Sequence, residues 1–209
     1  MAASSKPGAV DKRRLILDAA ITVFARKGFH HCRVSDVADQ AGVAYGLVYH
    51  YFDSKEEILN EVFLERWQVM LDAIAEIDRR DGLSAREKLY EVASFIVDSY
   101  RYEPDLMKVI IVEVTRAANS FGRLHLEKIR EAYAEIADIV EQARKEGVFK
   151  QDISADFAAM CFYGAIEQLL SGWIFDYIPQ TEAEFENSKR LVVEAICGGL
   201  EAAPAGVSG

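Results

Sequence analysis

Cysteine, proline and histidine are scarce in these 209 residues, at 3, 4 and 4 copies. Cys32, Cys161 and Cys197 are odd in number and far apart, which speaks against a disulfide framework and points to a reducing compartment. His30, His31, His50 and His125 fall in no ligand spacing, so neither a metal nor another cofactor is expected. A glycine-rich phosphate loop is missing, as is a nucleophile with a marked base partner, and the chain does not read as an enzyme. Residues 1–10 carry no apolar signal-peptide core, so a cytoplasmic chain is expected. Alternating apolar and polar runs are also absent. The 3.6-residue period dominates, and the expected fold class is all-α. The one nearly uncharged run, 157–175, holds Glu167 and Gln168 at its middle and no basic flank, which argues against a membrane span. A helix apolar on nearly all sides is buried within one chain or between two.

What is present begins with charge. The net charge of −10 divides unevenly: residues 1–55 hold 8 Lys/Arg against 5 Asp/Glu, and the remainder holds 16 against 29. A basic N-terminal quarter attached to an acidic remainder suits a polyanionic partner at one end only. Lys12, Arg13 and Arg14 stand in the first turn of a predicted helix, where each cation opposes the macrodipole by about 0.3–1 kcal/mol. Nearby phosphates would reverse that penalty, so phosphate contact is expected there.

Capping signals divide the chain. Asp11 opens a helix that runs to Arg26 and stops at Gly28. Ser54 with Glu57 opens a long helix to about Arg79, and Ser84 with Glu87 opens one ending near Tyr102. Pro104 suits the first turn of the next, which carries Met107, Ile110, Ile111 and Val114, before a break at Asn119 and Ser120. Further helices are predicted from Arg123 to Glu146 with Gly147 behind it, from Ser154 to Asp176, and from Thr181 with Glu184 to about Glu201. With two short helices between Arg33 and Phe52 the count is nine. Three form an N-terminal head (11–53) and six a body (54–201), with loose tails at 1–10 and 202–209. The long fourth helix crosses the boundary unbroken, so head and body are linked mechanically by it.

The two short helices carry the most specific signal. Val34, Val37, Ala38 and Ala41 give the first a single apolar face, and Gly42 can take the left-handed conformation that ends it. Val48 and Phe52 anchor the second at i, i+4, leaving Tyr45, Gly46, Tyr49 and His50 together on its outer face. Glycine inside a helix costs about 1 kcal/mol against alanine. A helix laid in a DNA groove explains both choices: glycine admits the backbone, and tyrosine and histidine donate to phosphates.

Gly28-Phe29, Val34-Ser35-Asp36-Val37-Ala38, Ala41-Gly42-Val43 and Tyr49-His50-Tyr51-Phe52 with Ser54-Lys55-Glu56-Glu57 closely resemble the DNA-binding domain of the tetracycline-repressor (TetR) family over about residues 12–60. The resemblance implies a helix-turn-helix whose second helix reads the major groove, with Tyr49 and Lys55 on phosphates. Arg33, Ser35 and His50 join them as expected positioning contacts, Gly46 as the point of close approach, and Tyr45 and Leu47 as base contacts. This chain departs from the family where Cys32 or Arg33 replaces a common Thr, Ala44 a common Ser, and Tyr45 a common Lys. Both short helices thereby lack the usual side-chain caps.

For the body, the same resemblance implies a homodimer formed by the last two helices, with Ile166, Leu169, Leu170, Val192 and Ile196 at the interface. It also implies an effector cavity, for which the bulky apolar residues Phe63, Trp67, Met70, Phe95, Tyr100, Met107, Ile110, Phe162 and Trp173 are candidates. Glu113-Val114-Thr115-Arg116 and Phe162-Tyr163-Gly164-Ala165-Ile166-Glu167, followed by Trp173, are similar to the fatty-acid-degradation regulators of the family. These sense long-chain acyl-coenzyme A (acyl-CoA), with Arg101, Lys108, Arg116 and Arg123 as candidates for the phosphate end. The expected function is a transcriptional repressor that binds a palindromic double-stranded operator as a homodimer and is released by an apolar effector. Two alternatives stand beside it: an efflux regulator that attracts lipophilic cations through acids such as Glu113 or Glu167, and a helical ligand-binding protein that does not bind DNA.

Overall fold

A computed structural model describes residues 11–114 and 123–200. Among them the elements are α1 (Lys12–Lys27), α2 (Val34–Ala41), α3 (Tyr45–Tyr51), α4 (Lys55–Asp78), α5 (Ala85–Tyr102), α6 (Pro104–Lys108), α7 (Arg123–Lys145), α8 (Ala155–Ile174) and α9 (Glu182–Leu200), with a 3₁₀ turn at Phe29–His31 and no strand. The caps that predicted these boundaries are made. Asp11 accepts from the backbone N–H groups of Arg13 and Arg14, and Ser54, Ser84, Ser154 and Thr181 each accept from the N–H three residues on. The predicted break at Asn119 and Ser120 and the predicted tails at 1–10 and 202–209 lie outside the described residues.

One element departs from expectation. Instead of a single helix from Pro104 through Val114, α6 lasts five residues and passes into a π-helical segment, Val109–Val114. Val109, Ile110, Ile111 and Val112 are consecutive β-branched residues, stiff at χ1 and crowded in a regular α turn. The wider π turn relieves that crowding, at the expense of ordinary helix hydrogen bonding.

Head and body share one hydrophobic cluster that runs without interruption from Ile16 on α1 to Leu200 on α9. α4 is its spine. Ile58, Leu59 and Val62 at its start and Trp67, Met70, Leu71 and Ile74 further along are all buried, so the helix carries the head into the body over about 36 Å at 1.5 Å per residue. α1 packs on α2 and α4 and also on α6, which puts a wall of the body directly against the first helix of the head.

The basic first turn of α1 is occupied differently from expectation. Arg13 donates to Glu65 at 2.8 Å and also to Glu61, and Arg14 reaches Glu65 at 3.0 Å and Asp18 at 2.9 Å. Glu61 and Glu65 lie one turn apart on α4 and face this end of α1, so two of the three cations, Arg13 and Arg14, are held by inter-helix ion pairs in the free protein, while Lys12 is exposed.

Candidate nucleic-acid interface and effector cavity

The head presents its second short helix outward. Gly42 ends α2 at φ +64°, with its N–H on the carbonyls of Ala38 and Asp39, and this left-handed corner sets α3 across α2. Val48 and Phe52 are buried beneath α3, while Tyr45, Gly46, Tyr49 and His50 stand exposed on its far side. The Tyr45 hydroxyl donates to that of Tyr49 at 3.1 Å with the rings edge to face, so the two phenols stand together as a pair. A methyl group built on Gly46 would meet no atom of this chain within 4 Å. The chain's own packing therefore does not require glycine there. Leu47 and Ser35 are half-buried and Arg33 is exposed.

The missing caps have different outcomes. At Arg33 the reciprocal half of a capping box survives, since the backbone N–H donates to the Asp36 carboxylate at 2.8 Å. Lys27 binds the same carboxylate at 2.7 Å, and these two hydrogen bonds, Lys27's first, hold Asp36 below the usual carboxylate range. At Ala44 no side chain caps α3. Lys55, expected on a phosphate, turns inward in the free protein. Its ammonium donates to the carbonyls of Phe29 and Cys32 at 2.9 and 3.2 Å.

In the body, Trp67 and Met70 from α4, Phe95 from α5, Met107 from α6 and Ile110 from the π segment meet around one apolar cavity, completed by Arg66, Ile96, Ser99 and Tyr163. Its volume is about 20 Å³. That is room for about one water molecule, so anything larger must part the helices. The four lining residues not anticipated were signalled in part by helical spacing: Arg66 lies one turn before Met70, and Ser99 one turn after Phe95. Burial pushes the Tyr163 phenol far up and raises the Glu167 carboxyl one turn beyond it.

Four predicted cavity residues do other work. Phe63 stacks on Trp67 at 4.8 Å and meets His125 at 4.3 Å, behind the cavity wall. Phe162 is fully buried and lies outside the lining. Tyr100 and Trp173 stack at 5.7 Å, Trp173 meets Phe185 at 4.8 Å, and the Tyr100 hydroxyl donates to the Gln180 side chain at 3.0 Å. This aromatic cluster ties α5, α8 and α9 together.

Arg101 is likewise not free for a phosphate. It binds Asp98 at 2.7 Å and also Glu182, while the buried Lys189 binds Asp98 at 2.8 Å and Glu186 at 2.6 Å. Lys108 is half-buried on α6. Arg116 and the side chains of Glu113 and Arg123 lie outside the described residues.

The dimer expectation also changes. Ile166, Leu170 and Val192 are buried within their own protomer, and Leu169 and Ile196 are half-buried against the same core. The apolar side chains left exposed on these helices are Phe157 and Met160 on α8 and Leu191 on α9, beside Cys161 and Ala195. A helix apolar on every side gives no phase by which sequence could choose the outward stripe. Among the described residues no helix is long and apolar enough to cross a membrane.

This arrangement has relatives. The model for bacterial regulatory proteins of the tetR family matches residues 16–62, and that for the tetracyclin repressor-like C-terminal domain matches residues 86–196. The fatty acid metabolism regulator protein of Bacillus subtilis is 30% identical, over 88% of this chain and 93% of its own length. The HTH-type transcriptional repressor KstR2 of Mycobacterium tuberculosis is also 30% identical, over 71% of this chain and 75% of its own. Among solved structures, the fatty acid degradation regulator FadR of Bacillus halodurans superimposes with a TM-score of 0.80 at 25% identity, covering 93% of this chain and 98% of that one. FadR of Bacillus subtilis in complex with stearoyl-CoA gives 0.76 at 25% identity, covering 89% and 98%. The chain belongs to the TetR family: it is a helix-turn-helix transcriptional repressor that binds operator DNA as a dimer and answers to a small-molecule effector.

Proposed function

We propose that the effector is a long-chain acyl compound, acyl-CoA foremost, and that it acts by opening the cavity between α4, α5, α6 and α8. The observation that carries this reading is the cavity itself: Trp67, Met70, Phe95, Met107, Ile110 and Tyr163 converge on a space closed to about 20 Å³. An aliphatic chain gains roughly 0.8 kcal/mol per buried CH₂, enough over a long chain to drive these helices apart. Kinship with a regulator solved with stearoyl-CoA supports the same class of ligand.

The DNA end follows from the exposed face of α3. Tyr49, His50, Arg33 and Lys55, with Ser35, position the head on phosphates, Gly46 admits the duplex, and Tyr45 and Leu47 touch base edges. Two heads of a dimer enter successive major grooves about 34 Å apart. The dimer forms through the exposed stripe of Phe157, Met160 and Leu191. Because α4 is continuous and α6 packs on α1, parting α4 from α6 alters the seat of each head and hence their separation. The effector must bind the two conformers unequally, and a coupling of about 1–3 kcal/mol gives a 5- to 150-fold loss of operator affinity. Cytoplasmic placement suits a protein that must reach chromosomal DNA.

Lipophilic cations are the competing ligand class. In the adjoining groove Asp98 is bound by Lys189 and Arg101, and Arg80 stands 3.6 and 3.7 Å from Glu76 and Glu91, while Glu167, the acid expected to attract a cation, is biased towards its neutral form by burial. Quenching of tryptophan fluorescence separates the two, since Trp67 lines the cavity. A graded response to acyl-CoAs of increasing chain length is expected, and saturation by lipophilic cations with none by acyl-CoAs would overturn the proposal.

A further inference from the structure

The cation bordering this cavity is poorly served. The Arg66 side chain is only 14% exposed, yet among the described residues its one carboxylate is that of Glu103 at 3.7 Å. That distance is beyond hydrogen-bond range. Its guanidinium lies over the Phe95 ring, 5.4 Å from the centroid. A largely buried guanidinium whose one carboxylate stands beyond hydrogen-bond distance is incompletely compensated for its desolvation, and a planar fork that borders open hollows is suited to an incoming carboxylate or phosphate. Burial lowers the affinity of Arg66 for its proton, as expected of a cation lacking close counter-charge.

Its position is as informative as its lack of partners. Arg66 borders the apolar cavity on one side and, on the other, an open groove of about 570 Å³ between α4 and α5. It also borders a hollow of about 190 Å³ between α1, α4 and α6, where Leu17 and Ile21 of the head face Leu106 of the body. Neighbouring Glu65 is held by Arg13 and Arg14 and is not available to it. Glu103 is the residue that precedes Pro104 and starts α6.

We propose that Arg66 is the oxyanion-recognising residue of the effector site, taking a carboxylate or phosphoryl oxygen of a single-chain aliphatic amphiphile and giving up Glu103 in exchange. This rests on the reading of the cavity as the effector site and names the head-group chemistry it selects. The aliphatic chain enters between Trp67, Met107 and Ile110, so the ligand acts on α6 through Met107 within it, Ile110 just beyond its end and the lost Glu103 contact at its start. α6 packs on α1, and the exchange thereby reaches the DNA-binding head.

The test compares three ligands of equal chain length below their micellar concentrations: laurate, lauroyl-CoA and dodecanol. Each is titrated against the full-length wild type, Arg66→Gln, Arg66→Lys and Glu103→Gln by fluorescence. Arg66→Gln is expected to weaken at least one of the two anions by about tenfold or more relative to dodecanol. Whichever anion weakens identifies carboxylate or CoA phosphate as the source. Arg66→Lys, which keeps the charge but loses the fork, is expected to fall between and provides the same ratio should the glutamine variant fail to fold. Glu103→Gln is expected to tighten the same anion several-fold and leave dodecanol unmoved. Anion-to-dodecanol ratios unchanged by both Arg66 variants would overturn this assignment alone, and an anion that Glu103→Gln fails to tighten would overturn the exchange. Failure of all three ligands to bind would overturn the effector reading with it.

Discussion

The Lys55 ammonium lies 4.6 Å from the centre of the Phe29 ring and donates to the carbonyl of the same residue at 2.9 Å. With the Cys32 carbonyl it closes the short turn after α1 onto the first residue of α4. Two of its three N–H donors are thus used internally, and the third remains for a phosphate. Replacing Lys55 by Met is expected to cost about 1–3 kcal/mol of stability in thermal unfolding. It should also weaken operator and random duplex alike and make the salt slope shallower by about 0.9. An unchanged slope in a salt titration removes Lys55 from the phosphate contacts, and unchanged unfolding removes it from the turn.

Gly46 separates folding from binding. A methyl group there meets no atom of this chain, and alanine is the better helix former. Gly46→Ala is expected to stabilise the free protein by up to about 1 kcal/mol. The same methyl stands where the duplex must approach, so operator affinity should fall. Tyr45→Ala should relax sequence preference more than it lowers total affinity, read by selection from a random duplex library. Gly46→Ala protein that binds its operator as tightly as wild type would show that α3 does not enter the groove by this face.

Glu167 gives a pH dependence whose sign follows from burial. Its carboxyl is raised above the ordinary value of 4.5 in the folded chain. The native state therefore holds its proton after the unfolded state has lost it, and stability declines as pH rises from about 4.5 through the raised value. Glu167→Gln is expected to remove that decline and to leave the protein more stable than wild type near neutral pH. Denaturant unfolding across that range checks it, and parallel curves for the two proteins would contradict it.

The outward stripe of α8 and α9 should behave unlike the residues just beneath it. Met160→Glu and Leu191→Glu are expected to yield folded monomers in sedimentation analysis, with operator binding weakened because two linked heads are lost. Ile166→Ala removes a fully buried side chain and is expected to cost about 2–5 kcal/mol of stability while sparing the dimer contact.

Local signals in the sequence were strong wherever a residue acts on neighbours three or four positions away. Asp11, Ser54, Ser84, Ser154 and Thr181 announce the helices they cap, and Val48 with Phe52 determines which face of α3 is left outside. Long-range partners carry no such signal. Nothing near Arg13 reveals Glu61 and Glu65, about fifty residues on, and nothing near Lys55 reveals the carbonyls of Phe29 and Cys32. Large apolar residues posed a different problem. Trp67 and Met107 line the cavity whereas Phe63 and Trp173 fill core, a distinction made by tertiary packing between side chains of the same chemistry. The π segment was hidden for a related reason, since its β-branched run fits the period of an ordinary buried helix.

The most direct test of the account is operator release. A labelled duplex selected by the protein from a random library is titrated with the dimer by fluorescence anisotropy, with and without saturating long-chain acyl-CoA. The predicted result is a palindromic site whose affinity falls about 5- to 150-fold with acyl-CoA and is unaffected by coenzyme A lacking the acyl chain. An operator complex that persists undiminished while acyl-CoA demonstrably occupies the protein would contradict it.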